Sequence, residues 1–199
     1  MHIKIGEPGV VGTFGYPPGD GPFPAVIAVG GSDGGTPEYF LNRVGAEGCA
    51  GLALGYWGTR DTQLTLADVP LERVECGLRW LREQPNVRTL NGRVGMIGAS
   101  KGAELALLTA TTFPEFVGPV VGYTPSSVVW MGVDFTSPGR VCSSWTHKGV
   151  QIPFVPYPPD VAPMHSERGV SMLPIFERGL DNRDAVECAS IPVERASGR

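Results

Sequence analysis

The chain has 199 residues, 42% of them hydrophobic and 18% charged, and a formal net charge of −4. That balance suits one folded domain with a sizeable core and excludes a disordered chain. No dense basic stretch offers a nucleic-acid footprint and no run of about 18 apolar residues offers a membrane span, so partners of neither kind are expected. The N-terminal stretch MHIKIGEPGVVG lacks the apolar region of a secretory signal, and the expected location is cytoplasmic. Cys49, Cys76, Cys142 and Cys188 form no CxxC pair, so a disulfide framework, a structural zinc site and any other metal or cofactor are not expected.

With 28 Gly and 19 Pro, many tight turns and long loops should join the regular elements. The first 24 residues read as a hairpin turning at Pro17 to Gly21. Ala25 to Val29 (AVIAV) is a continuous apolar run, as in a strand buried on both faces of a parallel sheet. Pro37 to Gly48 reads as a helix ending at glycine, and Cys49 to Leu54 as a second buried strand. A helix over Ala67 to Glu83 follows, with Leu71, Val74, Leu78 and Leu81 making one apolar stripe, Asp68 as its cap and Pro85 marking its end. Arg93 to Gly98 is the third strand, Ser100 to Thr112 the third helix and Val117 to Tyr123 the fourth strand. Strands and helices alternating at these intervals predict right-handed crossovers, a parallel sheet and an α/β fold. Residues 126–176 lose any clear period and read as loops over the carboxyl edge of the sheet, where a substrate pocket belongs. Glu177 to Ser190 reads as helix again, and IPVERASGR as the approach to another strand.

Gly98-Ala99-Ser100-Lys101-Gly102 has the form G-x-S-x-G, with an apolar strand before it and a helix-forming run after it. In a nucleophile elbow the serine occupies a strained strand-to-helix turn that only flanking glycines permit, and the next amide faces the reacting oxygen. Ser100 is therefore the candidate nucleophile and the Lys101 amide a candidate oxyanion donor. The plainer alternative is a glycine-rich turn that only packs helix against strand. Gly30 to Gly35 (GGSDGG) could cradle a phosphate, but it lacks the GxGxxG and P-loop patterns. Its other use is a second oxyanion donor, for which the Ser32 amide is the candidate; one such donor lowers a barrier by about 3 kcal/mol. Asp33 suits a turn-stabilising role better than a place beside substrate.

These loops, with PFPAVIAVGGSDGG, RVGMIGASKGAELAL, YTPSSVVWMGVD and SSWTHKGVQIPFVPY, resemble the catalytic domain of the bile-acid-CoA:amino acid N-acyltransferase and acyl-CoA thioesterase family, from about Gly12 to Arg195. The resemblance implies an α/β-hydrolase fold, a nucleophile at Ser100 and acyl-thioester or related substrates. Serine rather than cysteine at the elbow favours hydrolysis over transfer to an amine. The family's N-terminal β-rich domain has no counterpart here. Nor do its acid and histidine, which follow the serine in this fold.

Of the three histidines, His2, His147 and His165, the last two lie in the loops where the family's substrate-covering residues fall, not where its base falls; Asp134 could serve as acid in a variant arrangement, and Asp181 and Asp184 read as an exposed helix face. Removing the histidine of such a triad lowers turnover by about a millionfold. The expectation is thus a single α/β-hydrolase domain over residues 1–199, representing the N-terminal two-thirds of a larger hydrolase and incomplete on its C-terminal side. A second chain or C-terminal segment would complete the sheet and supply the base, since Val117 to Tyr123 otherwise forms an uncovered edge. Trp130, Phe135, Trp145, Phe154 and Tyr157 could line an acyl pocket or form the core of the loops. Competing functions are a carboxylesterase or peptidase on the same scaffold, and a binding module that needs another chain.

Overall fold

Runs that are apolar on both faces satisfy themselves only inside a layered sheet, and AVIAV, CAGLAL and RVGMIG accordingly become neighbouring strands. The computed structural model describes residues 2–7, 9–137, 139–167 and 169–193. In chain order its strands are β1 (His2–Glu7), β2 (Val10–Gly15), β3 (Phe23–Val29), β4 (Ala50–Leu54), β5 (Val69–Pro70), β6 (Val87–Arg88), β7 (Val94–Ala99), β8 (Val117–Tyr123), β9 (Trp145–His147), β10 (Val150–Gln151), β11 (Met164–Ser166) and β12 (Gly169–Ser171). The helices are α1 (Tyr39–Ala46), α2 (Glu72–Arg82), α3 (Lys101–Thr112), α4 (Leu173–Leu180) and α5 (Arg183–Ala189).

The main sheet runs β1-β2-β4-β3-β7-β8, with β6 pairing the start of β3. β4, β3, β7 and β8 are mutually parallel, whereas β1 and β2 join antiparallel at one edge. Right-handed crossovers put α1 on one face and α2 with α3 on the other. This is the α/β-hydrolase arrangement. Among the described residues no helix is long and apolar enough to cross a membrane.

The predicted stripe on α2 is real: Val74, Leu78 and Leu81 are fully buried against the sheet, each stabilising the fold by about 2 kcal/mol. The main core lies on the face under α2 and α3, including Ile27, Leu52 and Leu105. The α1 face holds only a small cluster of Ala28, Phe40 and Ile97. Beside α1 that face is an open groove of about 430 Å³, floored by Val26, Met96, Ile97 and Val121 and rimmed by Arg43 and Arg93. β8 has no partner on its outer side among the described residues, and Val121 on it is 50% exposed.

Several element boundaries differ from expectation. The N-terminal hairpin closes between Glu7 and Val10 rather than at Pro17 to Gly21, with Gly9 taking a φ of 85°. The second predicted helix starts at Glu72, because Val69–Pro70 instead pairs with Trp145–Thr146 in a small second sheet. Asp68 therefore caps nothing; its backbone sits at φ 54° and its carboxylate takes the Arg140 guanidinium. The predicted Glu177 to Ser190 helix is two helices, since the Asn182 side chain accepts from the Ala185 amide and starts α5 afresh. The loop region carries β9 to β12 in addition to isolated bridges. Of IPVERASGR, the part from residue 194 onward lies outside the described residues.

Candidate active site

The elbow is built by close backbone approach. Register pairs Gly98 of β7 with Val29 of β3 on one side and Gly122 of β8 on the other, so the loops after β3 and β7 leave the sheet edge together. Ser100 is exposed, with φ 52° and ψ −121°, a conformation strained for any residue with a Cβ. Its amide donates to the Tyr123 carbonyl at 2.9 Å, while its own carbonyl accepts from Ala103 and Glu104 and opens α3. Only glycine fits on either side. A Cβ on Gly98 would lie 2.2 Å from the Gly102 carbonyl oxygen, and one on Gly102 would lie 2.1 Å from that of Gly30. The strand-turn-helix context expected from the motif is therefore fully formed, and Lys101, as the first helical residue, has an amide with no acceptor inside α3.

The Gly30–Gly35 loop lies against this turn. A Cβ on Gly31 would be 3.2 Å from the Ser100 Cβ, which brings the loop that carries Ser32 up to the elbow. The loop is held from below: the Tyr56 hydroxyl donates to the Gly30 carbonyl at 2.7 Å and the Trp57 indole to that of Gly31 at 3.2 Å. Both carbonyls are thereby turned into the protein and satisfied there. Asp33 accepts from the Gly31 amide at 3.2 Å and so stabilises its own turn. Burial pushes the Tyr56 hydroxyl's pKa up, which keeps it a donor at all ordinary pH.

A buried ion pair that the sequence reading missed lies directly behind the elbow. Lys101 Nζ donates to Glu104 Oε1 at 2.8 Å, with side-chain exposures of 8% and 1%. Burial lowers the lysine's pKa and raises the glutamate's, each shift opposed by the partner's charge. The available signal was a lysine and a glutamate three apart inside the otherwise apolar run GASKGAELALL.

The remaining candidates are not gathered here. His147 meets the ring of Phe113, just past the far end of α3, edge-on, and its Nδ1 lies 3.2 Å from the Glu72 carboxylate at the start of α2. His165 is exposed on the β11–β12 hairpin, which pairs with no strand of the main sheet. His2 is on β1, four strands from β7, roughly 19 Å across the sheet. The Asp134 carboxylate is bound in its own turn by Thr136 and Arg140, and these hydrogen bonds hold its pKa below the usual range. Asp181 pairs with Arg178, and Asp181 and Asp184 are both exposed. Among the aromatics, Trp130 and Trp145 are core residues, Phe154 and Tyr157 are half-buried, and Phe135 is 71% exposed.

A bile acid-CoA:amino acid N-acyltransferase of Mus musculus is 30% identical over 197 residues, 99% of this chain and 43% of the relative. A mitochondrial acyl-coenzyme A thioesterase 2 of Homo sapiens is 34% identical over 119 residues, 60% of this chain and 24% of the relative. The chain spans less than half the length of these curated relatives. Among solved structures, DcsB in complex with its substrate analogue superposes with a TM-score of 0.50 at 17% identity, covering 65% of this chain and 46% of that one, a likeness of fold. The sequence model named BAAT / Acyl-CoA thioester hydrolase C terminal matches residues 69–199, and the chain belongs to that family.

Proposed function

We propose that this chain carries the nucleophile and oxyanion hole of a serine hydrolase acting on acyl thioesters. In the first step Ser100 Oγ adds to the acyl carbonyl carbon and its proton passes to a general base. The amides of Lys101 and Ser32 stabilise the oxyanion. Collapse breaks the carbon–sulfur bond, and the departing thiolate takes the proton from the base. Water then attacks the acyl-serine in the same way, releasing the carboxylic acid and restoring the hydroxyl. An amine in place of water would make the reaction a transfer.

The observation that carries this reading is the strained Ser100 turn, held between two glycines, with the Gly30–Gly35 loop so close that a Cβ on Gly31 would lie 3.2 Å from the Ser100 Cβ. The thioester preference rests on the relatives' names. We infer a cytoplasmic setting from the four free cysteines.

The base is proposed to come from a further segment of the whole protein or a second chain. Among the described residues no hydrogen bond joins a histidine to Ser100, and the open β8 edge and the groove beside α1 are surfaces that such a segment would cover. The test is hydrolysis of a palmitoyl-thioester by the full-length protein, by its Ser100→Ala variant and by the 199-residue chain alone. Turnover by the full-length protein alone supports the reading. Equal turnover by the 199-residue chain overturns the need for a base from elsewhere, and undiminished turnover by S100A overturns the nucleophile. Faster cleavage of an oxygen ester or amide than of the thioester would make the protein an esterase or peptidase.

A further inference from the structure

We propose that Lys101 is a positioning residue: its buried pair with Glu104 clamps the loop around Trp130 to the helix that carries Ser100, and this clamp aims the Lys101 amide at the acyl oxygen. The proposal rests on the serine-hydrolase reading and extends it to residues that the chemistry itself does not use.

The two side chains together hold both backbone polar groups of one loop residue. Lys101 Nζ donates to the Trp130 carbonyl at 3.0 Å, and Glu104 Oε1 accepts from the Trp130 amide at 3.3 Å. The same carboxylate oxygen accepts from the Trp145 indole at 2.7 Å, and the Trp130 carbonyl also accepts from the Ser144 hydroxyl at 3.0 Å. Three elements meet at the pair: the start of α3, the segment around Trp130 and β9. Beyond it, Trp130 packs on Phe176 of α4 and stacks on Tyr157. The whole loop layer therefore reaches the elbow through these hydrogen bonds.

Stability alone does not explain the pair. Well-packed apolar side chains of similar volume serve a buried site as well as an ion pair or better, while ions and hydrogen bonds fix a geometry that apolar contacts leave free to slide. Here the fixed geometry belongs to the residue whose own amide is the proposed oxyanion donor. Its Cα is held from the solvent side by the strained Ser100 peptide and from the interior by its ammonium.

The test uses the full-length protein and a fluorophosphonate that phosphonylates serine with loss of fluoride, with the rate of covalent modification, kinact, separated from the initial affinity, KI. In the double variant K101M/E104M the charges leave together. The expected result is a fold and melting temperature near wild type, an unchanged KI and a kinact at least tenfold lower. The Lys101-position amide resonance in the 15N-labelled protein is expected to shift, while those of α2 stay in place. A double variant modified at the wild-type rate overturns the proposal. Should the double variant not fold, W145F removes one hydrogen bond and no charge; a severalfold lower kinact with unchanged KI supports the clamp, and a wild-type kinact overturns it. If wild-type Ser100 is not modified at all, the hydrolase reading fails separately, and the amide resonance decides: an unmoved residue-101 amide in W145F overturns the clamp.

Discussion

The same substitution, Gly to Ala, should have opposite effects at two helical glycines. At Gly102 the added methyl would lie 2.1 Å from the Gly30 carbonyl oxygen and 2.5 Å from that of Val29. Relief to ordinary contact needs about 1.3 Å of movement between α3 and the β3 loop, and both sides are backbone. Overpacking of this kind destabilises by about 3 kcal/mol, against about 1 kcal/mol gained from helix propensity. A net loss near 2 kcal/mol lowers the melting temperature of a chain this size by roughly 4–8 °C. Gly45 in α1 has no atom within 4 Å of its would-be Cβ and no unusual φ, so Gly45→Ala should gain about 0.5–1 kcal/mol and raise it by a few degrees. Calorimetric melting of the two variants beside wild type measures the difference. A G102A protein as stable as wild type, or more so, refutes the close approach on which the elbow depends. Where G102A still folds, a displacement near 1 Å should slow Ser100 acylation about a hundredfold.

Three further outcomes are expected. Tyr56→Phe leaves the buried Gly30 carbonyl without its 2.7 Å donor, so it should destabilise by about 1–2 kcal/mol in a denaturant titration and slow Ser100 acylation by loosening the loop that carries Ser32. Lys101→Met alone strands the Glu104 charge and should destabilise by about 3–5 kcal/mol, most of it recovered in K101M/E104M; equal losses in single and double variants would contradict a paired charge. Glu38 accepts from Lys4 and from the buried Thr13 hydroxyl, which hold its pKa below the usual value; its contribution is present above that value and fades as pH falls through the depressed one. Glu38→Gln should therefore flatten the acid limb of the melting-temperature profile below pH about 4 and leave its shape near neutrality unchanged.

The legible parts of this fold are those where one signal has one cause. AVIAV and RVGMIG are apolar on both faces and can only be interior strands, and the glycines at 98 and 102 are required by backbone contacts that no other residue permits. The β5 pairing was not legible, because Val69–Pro70 is drawn into a strand by Trp145–Thr146, some seventy residues away, while its local pattern continues the helix. Lys101 and Glu104 look from their charge like an exposed helix edge; that they turn inward depends on Trp130 and Trp145, whose loops have no period to announce them. The open groove on the α1 face was equally hidden, because Val26, Ile97 and Val121, which line it, read as interior strand residues.

The account turns on the hydroxyl of Ser100, and trapping the acyl-enzyme tests it most directly. The full-length protein, quenched in acid during turnover of a thioester and digested, should give one acylated peptide, with the acyl mass on Ser100 and none in the Ser100→Ala variant. Acyl mass on Cys142 or any other residue, or the same labelling in S100A, would contradict it.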